Sequence, residues 1–457
     1  MNVGAALSLS SPIKNRGNLT LSELHEHALQ LLEEGLKAAN ARLAVARALR
    51  LEGKKLRVCD EELEVRGEIH VVGFGKASRE MALGVLDALG DVAGGVVIAP
   101  EDYPPVGPIE VLRGDHPIPK ENTLASSKRL LKYLEERVSE EDIVFVLISG
   151  GGSALFEVPA PGVSLEDIAF VTKELMKRGA DIVELNAVRK HLSSVKGGQL
   201  LRYVKARRVF SLIISDVVGD RLDTIASGPT APDETTYRDA YEVLKRRGLW
   251  DAVPKSVRDR IEAGLRGEAP ETVKPGDPLL RKVKNVIVAS NRASLEAMAK
   301  RAKDLGYQPL ILSPYVTGEA REVAKVLAAI IKSVKELGYP AKPPLAILAG
   351  GETTVTVRGD GVGGRNQELC LSLAIEVKGL EGVVAACMGT DGIDGVSPAA
   401  GAIIDGKLVE LAMNRGLDPK EFLDRNDSYT FFKELDRAII TGYTGTNVND
   451  IFVALIK

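Results

Sequence analysis

The sequence predicts an α/β protein: two Rossmann-like α/β domains on mostly parallel sheets, with an interdomain cleft. Three observations predict it. Short β-branched runs recur, each ending in a glycine-rich or polar turn and followed by a stretch of helical periodicity. Runs such as Ile143-Val-Phe-Val-Leu-Ile148 are too apolar for a sheet with one wet face and suit strands buried on both. A segment rich in Gly, Pro and charge, Gly264 to Pro278, interrupts the series, so domains are expected over residues 1–275 and 276–457.

Taken in order, Leu21, Leu24, Ala28, Leu31, Leu32 and Leu36 repeat at helical spacing, predicting a helix over 19–51 capped by Thr20 or Ser22. Residues 58–65 predict a hairpin-like strand pair. A strand at 68–72 leads into Gly73-Phe-Gly-Lys-Ala-Ser78 and a helix through Leu89. Further strands are expected at 95–99, at 142–149 before a triple glycine, and at 209–215 before Asp216-Val-Val-Gly-Asp220. Beyond the linker, strands are expected at 285–289, 310–312, 345–348, 383–386, 438–440 and 451–455.

Composition narrows the function. The 457 residues carry 60 Lys and Arg against 63 Asp and Glu, a net charge of −3 that gives no general basis for a nucleic-acid partner. An apolar share of 45% excludes global disorder. No apolar run approaches the roughly 18 residues of a membrane span, and no secretory pattern opens the chain, so a cytoplasmic protein is expected. Cys59, Cys370 and Cys387 lie far apart and read as buried small hydrophobes. His25 and His27 read as surface residues of a helix, and no histidine/cysteine metal site is expected.

Ligands of open α/β sheets gather beyond the carboxyl ends of the strands. Gly75 allows close backbone approach there, and Lys76 would meet a phosphate or carboxylate. Neither a Walker loop nor a full dinucleotide fingerprint is present, since Ser78 stands where the third glycine or alanine belongs. Ser149, Gly150, Gly151, Gly152 and Ser153 form a bare loop with hydroxyls at both ends. Residues 186–198 predict a helix on which Lys190, Ser193 and Lys196 share a face, a cationic ridge beside Arg189; His191 reads as a packing or hydrogen-bonding residue. Asp216 and Asp220 follow a buried strand and suit Mg²⁺. Glu352 follows another strand. Arg365, with Asn366, opens a helix where a cation is unfavourable unless an anion neutralises it. Asp391 and Asp394 stand among glycines, and Asn447 to Asp450 close the series.

The chain resembles the glycerate 2-kinases that carry a C-terminal MOFRL domain. The matching stretches run in order: GFGKAS (73–78), DHPIP (115–119), SGGGSAL (149–155), KHLSSVKGGQL (190–200), SDVVGD (215–220) and ASGPT (226–230). They continue with GGETTV (350–355), GGRNQE (363–368), GTDGIDG (389–395) and GYTGTNVND (442–450). The resemblance implies ATP-dependent phosphorylation of D-glycerate at its 2-hydroxyl, a magnesium requirement, and Lys76 and Arg365 as leading catalytic residues. With them we place Asp216 as a catalytic carboxylate, Asp220 and Asp394 at the metal, and Gly75, residues 149–153, Lys190, Lys196, Glu352, Asn366 and Asp391 in binding. The expected partners are ATP and D-glycerate, with no membrane and a monomer or homodimer. The rival enzyme is an NAD(P)H-dependent hydroxypyruvate reductase, and the non-enzyme rival a small-acid-binding protein.

Overall fold

The most apolar runs become the central strands of two sheets, and the polar residues of interest stand on loops at the ends of those strands. The computed structural model describes residues 11–457. Residues 41–288 form one unit, and residues 11–40 join residues 289–457 in a second. The first unit opens with an antiparallel meander, β1 (Leu49–Glu52), β2 (Lys55–Val58) and β3 (Glu61–Glu64). Its main sheet holds β4 (Ile69–Phe74), β5 (Gly94–Ala99), β6 (Ile109–Arg113), β7 (Ile143–Ile148), β8 (Arg208–Ile214) and β9 (Val283–Ala289). The order in space is β6-β5-β4-β7-β8-β9, and every pairing from β6 to β8 is parallel.

That order reverses between β4 and β7, the switch point at which doubly wound sheets open a crevice for ligands. β4, β5 and β7 are buried at every residue, which explains their lack of polar alternation. Phe74, the last residue of β4, stacks on Phe156 with ring centroids 4.2 Å apart. Burying each ring contributes about 2–3 kcal/mol, and together they hold the floor of the loops above.

In the second unit the sheet is β10 (Gln308–Glu319), β11 (Leu345–Thr354), β12 (Val383–Gly389), β13 (Gly401–Asp405), β14 (Ala438–Ile439) and β15 (Asp450–Ile456), ordered β10-β11-β15-β12-β13-β14. Here the expectation of a mostly parallel sheet fails: only β10 and β11 pair in parallel, and the remaining pairings are antiparallel. The last strand enters in reverse between β11 and β12, and β12, β13 and β14 pair as antiparallel neighbours, with helices Leu408–Asn414, Pro419–Asp424 and Ser428–Glu434 carried between β13 and β14. Helix Glu23–Ala39 lies on one face of this sheet, where Leu29, Leu32 and Leu36 cluster with Leu295, Met298, Ile451 and Val453.

The observed units differ from the expected 1–275 and 276–457. β9 belongs to the first sheet, held by Thr230 Oγ1 donating to Asn285 Oδ1 at 2.8 Å and Asn285 Nδ2 donating to Thr230 O at 3.1 Å. The Gly- and Pro-rich segment is thus a loop inside the first unit. The helix expected over 19–51 is two helices, Glu23–Ala39 and Ala41–Ala48, after which the chain enters β1. His25, read as a surface residue, is buried, with Nδ1 2.8 Å from Ser22 Oγ and Nε2 3.2 Å from Asp405. Cys370 and Cys387 are buried as expected, while Cys59 is half-buried on a turn.

Candidate active site

Loops after β4, β7 and β8 meet at the switch point of the first unit. Gly75 has φ +126°, and a Cβ on it would stand 2.3 Å from Ser149 Oγ, so the first two loops can touch only because residue 75 is bare. Hydrogen bonds close the contact: Lys76 N donates to Gly150 O at 2.9 Å, and Ala77 N to Ser149 Oγ at 3.0 Å. Ser149 is therefore a buried clamp between loops. Ser78, which stands where the dinucleotide fingerprint wants a small residue, is buried and donates to Ile98 O at 2.9 Å.

The triple glycine is open backbone with chemistry on several sides. A Cβ on Gly150 would stand 2.4 Å from Asp216 Oδ2, and one on Gly151 would stand 3.1 Å from His116 Nε2 and 3.3 Å from Lys76 Cγ. Lys76 is exposed, and no carboxylate of the described residues pairs with it. Loss of solvent and then the Lys76 charge push the His116 imidazole below its ordinary range, so it is neutral at pH 7. Ser153 Oγ lies 2.9 Å from Ser227 Oγ, which in turn is 3.1 Å from Asn186 Oδ1. Asp220 is half-buried further along the β8 loop, at φ +53° in a turn closed by its N–H on Val217 O at 3.0 Å.

The expected cationic ridge is not one. The helix ends at His191, so Ser193 and Lys196 leave its face. Lys196 is fully buried, 2.7 Å from Glu157, and also donates to Phe156 O at 3.0 Å; burial pushes its ammonium down to about 8 against the pull of Glu157. Lys190 is buried 3.3 Å from Asp233. Both lysines are structural charges neutralised inside the protein. His191 is the hydrogen-bonding residue expected, with Nδ1 2.7 Å from Ala187 O and Nε2 2.9 Å from Glu271.

In the second unit, Asp450 begins β15 in register with Gly351 of β11 and Gly389 of β12. Arg365 grips it with both faces of its fork, Nε to Oδ2 at 2.6 Å and Nη2 to Oδ1 at 3.1 Å, and donates Nη1 to Glu352 at 2.8 Å. The anion that Arg365 needs at its helix start is thus supplied by the chain itself. Burial opposes the charge, but Asp450 and Glu352 hold the guanidinium well above its ordinary range, while burial lifts Asp450 to about 6 against Arg365. At pH 7 the pair is ionised on either count.

Asp394 does not fit a metal. Its Oδ1 accepts from Asn366 N at 3.0 Å and Asn366 Nδ2 at 3.2 Å, and its Oδ2 from Gln367 N at 2.8 Å and Gln367 Nε2 at 2.9 Å. It caps the helix that Arg365 opens, and burial raises its carboxyl. Asn366 is also internal, donating to Asp450 at 3.0 Å and accepting from Cys387 Sγ at 2.7 Å. Asp391 stays half-buried beside Gly389, accepting from Ile393 N at 3.2 Å.

Sequence reading missed His116, the pairing of Asp450 with Arg365 and the distinct state of Arg189. Signals existed for two: His116 lies within the DHPIP stretch, and Asp450 is the polar residue just before the last apolar strand.

A sheet in 3-2-1-4-5-6 order, parallel from β6 to β8, with glycine loops at its switch point defines the first unit as a doubly wound α/β fold with a ligand site at its strand ends. Residues 27–262 match a family described as a domain of unknown function, DUF4147, and residues 345–450 match the MOFRL family. Glycerate 2-kinase of Pyrococcus horikoshii is 43% identical over 95% of this chain and 98% of its own. A protein of Agrobacterium vitis called a putative hydroxypyruvate reductase is 42% identical over 86% of this chain and 88% of its own. The crystal structure of a glycerate kinase from Thermotoga maritima superposes with a TM-score of 0.85 at 38% identity, over 94% of this chain and 99% of that one. The chain belongs to the DUF4147–MOFRL family of glycerate 2-kinases.

Proposed function

We propose that the chain transfers the γ-phosphoryl of ATP to the 2-hydroxyl of D-glycerate, giving 2-phosphoglycerate and ADP. The observation that carries this reading is the near-complete overlap with glycerate 2-kinase at 43% identity. In the step, the substrate oxygen bonds to phosphorus as the bond from phosphorus to the ADP oxygen breaks, and a base takes the hydroxyl proton. Such transfers depend on positioning and charge stabilisation. Lys76, exposed beside the glycine loop, would neutralise charge on the transferring phosphoryl. Asp216, against Gly150, would accept the proton. Arg365, held by Asp450 and Glu352 in the second unit, is the other cation that the resemblance puts forward for catalysis.

Asp220 would hold Mg²⁺: this ion takes one or two carboxylates beside phosphate oxygens and water. Among the described residues no three His, Cys, Asp or Glu converge, which suits an ion arriving on the nucleotide. Bound there, it would neutralise charge on the phosphates.

The name of the Agrobacterium vitis relative keeps an NAD(P)H-dependent reductase as the alternative. ATP labelled in its γ-phosphate separates the two. Label should move to D-glycerate without reduced cofactor; oxidation of NAD(P)H by hydroxypyruvate with no label transfer would reverse the assignment.

A further inference from the structure

We propose that Arg189 is an oxyanion clamp of the first unit, gripping a carboxylate or phosphate of the substrates; this rests on the kinase reading and names a subsite within it. The three cations of the stretch 189–196 have different fates. Lys190 is paired with Asp233 and Lys196 with Glu157, both inside the protein. Arg189 has no ion pair among the described residues. The acid whose charge acts on it, Glu157, is ion-paired to Lys196 at 2.7 Å through Oε2 and accepts from Ser193 Oγ at 2.6 Å through Oε1. Around that carboxylate the chain therefore carries one cation in excess.

The excess cation lies at the glycine loop. Arg189 Nη2 donates to Ser153 O at 3.3 Å, a long bond to a neutral acceptor, and Arg189 Nε is buried with no partner. Removing a guanidinium from water without a counter-ion is costly, and the cost is offset when an anion arrives. Asn186, one helical turn before Arg189, reaches the same loop through Ser227 and Ser153. Helix Ile182–His191 thus presents an amide and an unpaired guanidinium to the residues that follow Gly151 and Gly152. The planar fork suits a two-oxygen anion held by parallel hydrogen bonds, which both a carboxylate and a phosphate offer. Burial shifts the guanidinium below its ordinary range against the opposing pull of Glu157.

Two measurements test this on the full chain. In steady-state kinetics, Arg189→Gln should raise the KM for either D-glycerate or ATP by about tenfold or more, the scale of a lost charge-assisted hydrogen bond. Arg189→Lys should recover part of it. A larger KM for D-glycerate assigns the carboxylate, and a larger KM for ATP assigns a phosphate. Unchanged KM values for both would overturn the clamp. Should the variants fold poorly, the wild-type protein is treated with phenylglyoxal and Arg189 is followed by mass spectrometry. Modification should be slowed by D-glycerate, by ATP or by inorganic phosphate. An Arg189 that is never modified, or that none of these protects, contradicts the proposal. Because protection needs no turnover, it stays readable even if no phosphorylated product forms, so the clamp and the kinase reading fail separately.

Discussion

At the residue scale the site depends on missing side chains as much as on present ones. Gly150 is the cleanest case, because a Cβ would collide with nothing closer than the Asp216 carboxylate, at 2.4 Å. Gly150→Ala should push that carboxylate aside, lowering kcat about tenfold or more while costing about 1 kcal/mol of stability, read as a small fall in Tm. An unchanged kcat would show that Asp216 does no chemistry. Legibility at this scale followed local signal. Lys76 and the triple glycine stood out because a cation and bare backbone after a strand need no knowledge of distant partners. Lys190 and Lys196 misled because their neutralising acids, Asp233 and Glu157, lie 43 and 39 positions away and nothing local announces them. Asp394 misled for the same reason: its cap on Asn366 and Gln367 joins residues 28 and 27 apart.

At the element scale, two polar contacts join pieces of the first unit, one of them fully buried. Lys196 and Glu157 tie the end of the 186–198 stretch to the chain after the glycine loop. Removing the acid alone, as Glu157→Leu, should cost about 3–5 kcal/mol, because Lys196 is left buried and unmatched, and Lys196→Met should cost less, because the Arg189 charge still acts on Glu157. The double variant should be more stable than Glu157→Leu alone by denaturant melts; additive losses would mean that the pair is not coupled. Glu271 links two helices, accepting from His191 Nε2 and Tyr237 N, both at 2.9 Å. Burial opposes its charge, but these bonds and Lys274 win and hold its carboxyl at about 2. The folded value lies below the unfolded one, so the stabilisation is present above about pH 4.3 and is lost as pH falls through about 2. With Glu271 about a third exposed, screening reduces the effect to about 1–2 kcal/mol. Glu271→Gln should lower Tm at pH 7, and the deficit should fade toward pH 2–3; a deficit constant with pH would rule out the charge.

At the scale of the whole molecule, the α/β class and most strands were legible because a doubly buried strand is a continuous apolar run wherever it falls. Connectivity was not. After Asp450, β15 is as apolar as β7, yet it runs antiparallel between β11 and β12, and direction leaves no mark on composition. β9 belongs to the first sheet through Asn285 and Thr230, a contact no linker rule foresees, and helix Glu23–Ala39 packs on a sheet whose strands begin at residue 308.

A glycerate 2-kinase site that includes Lys76 phosphorylates one hydroxyl of one small acid, and the position of the product phosphate is its signature. Phosphorus NMR of a reaction of ATP, Mg²⁺ and D-glycerate resolves which oxygen carries the product phosphate. The wild-type protein should give 2-phosphoglycerate, and Lys76→Ala should lose it by about a hundredfold or more in rate at unchanged Tm, since the side chain is exposed. Product phosphorylated at the 3-position, no product from folded protein, or full activity in Lys76→Ala would contradict it.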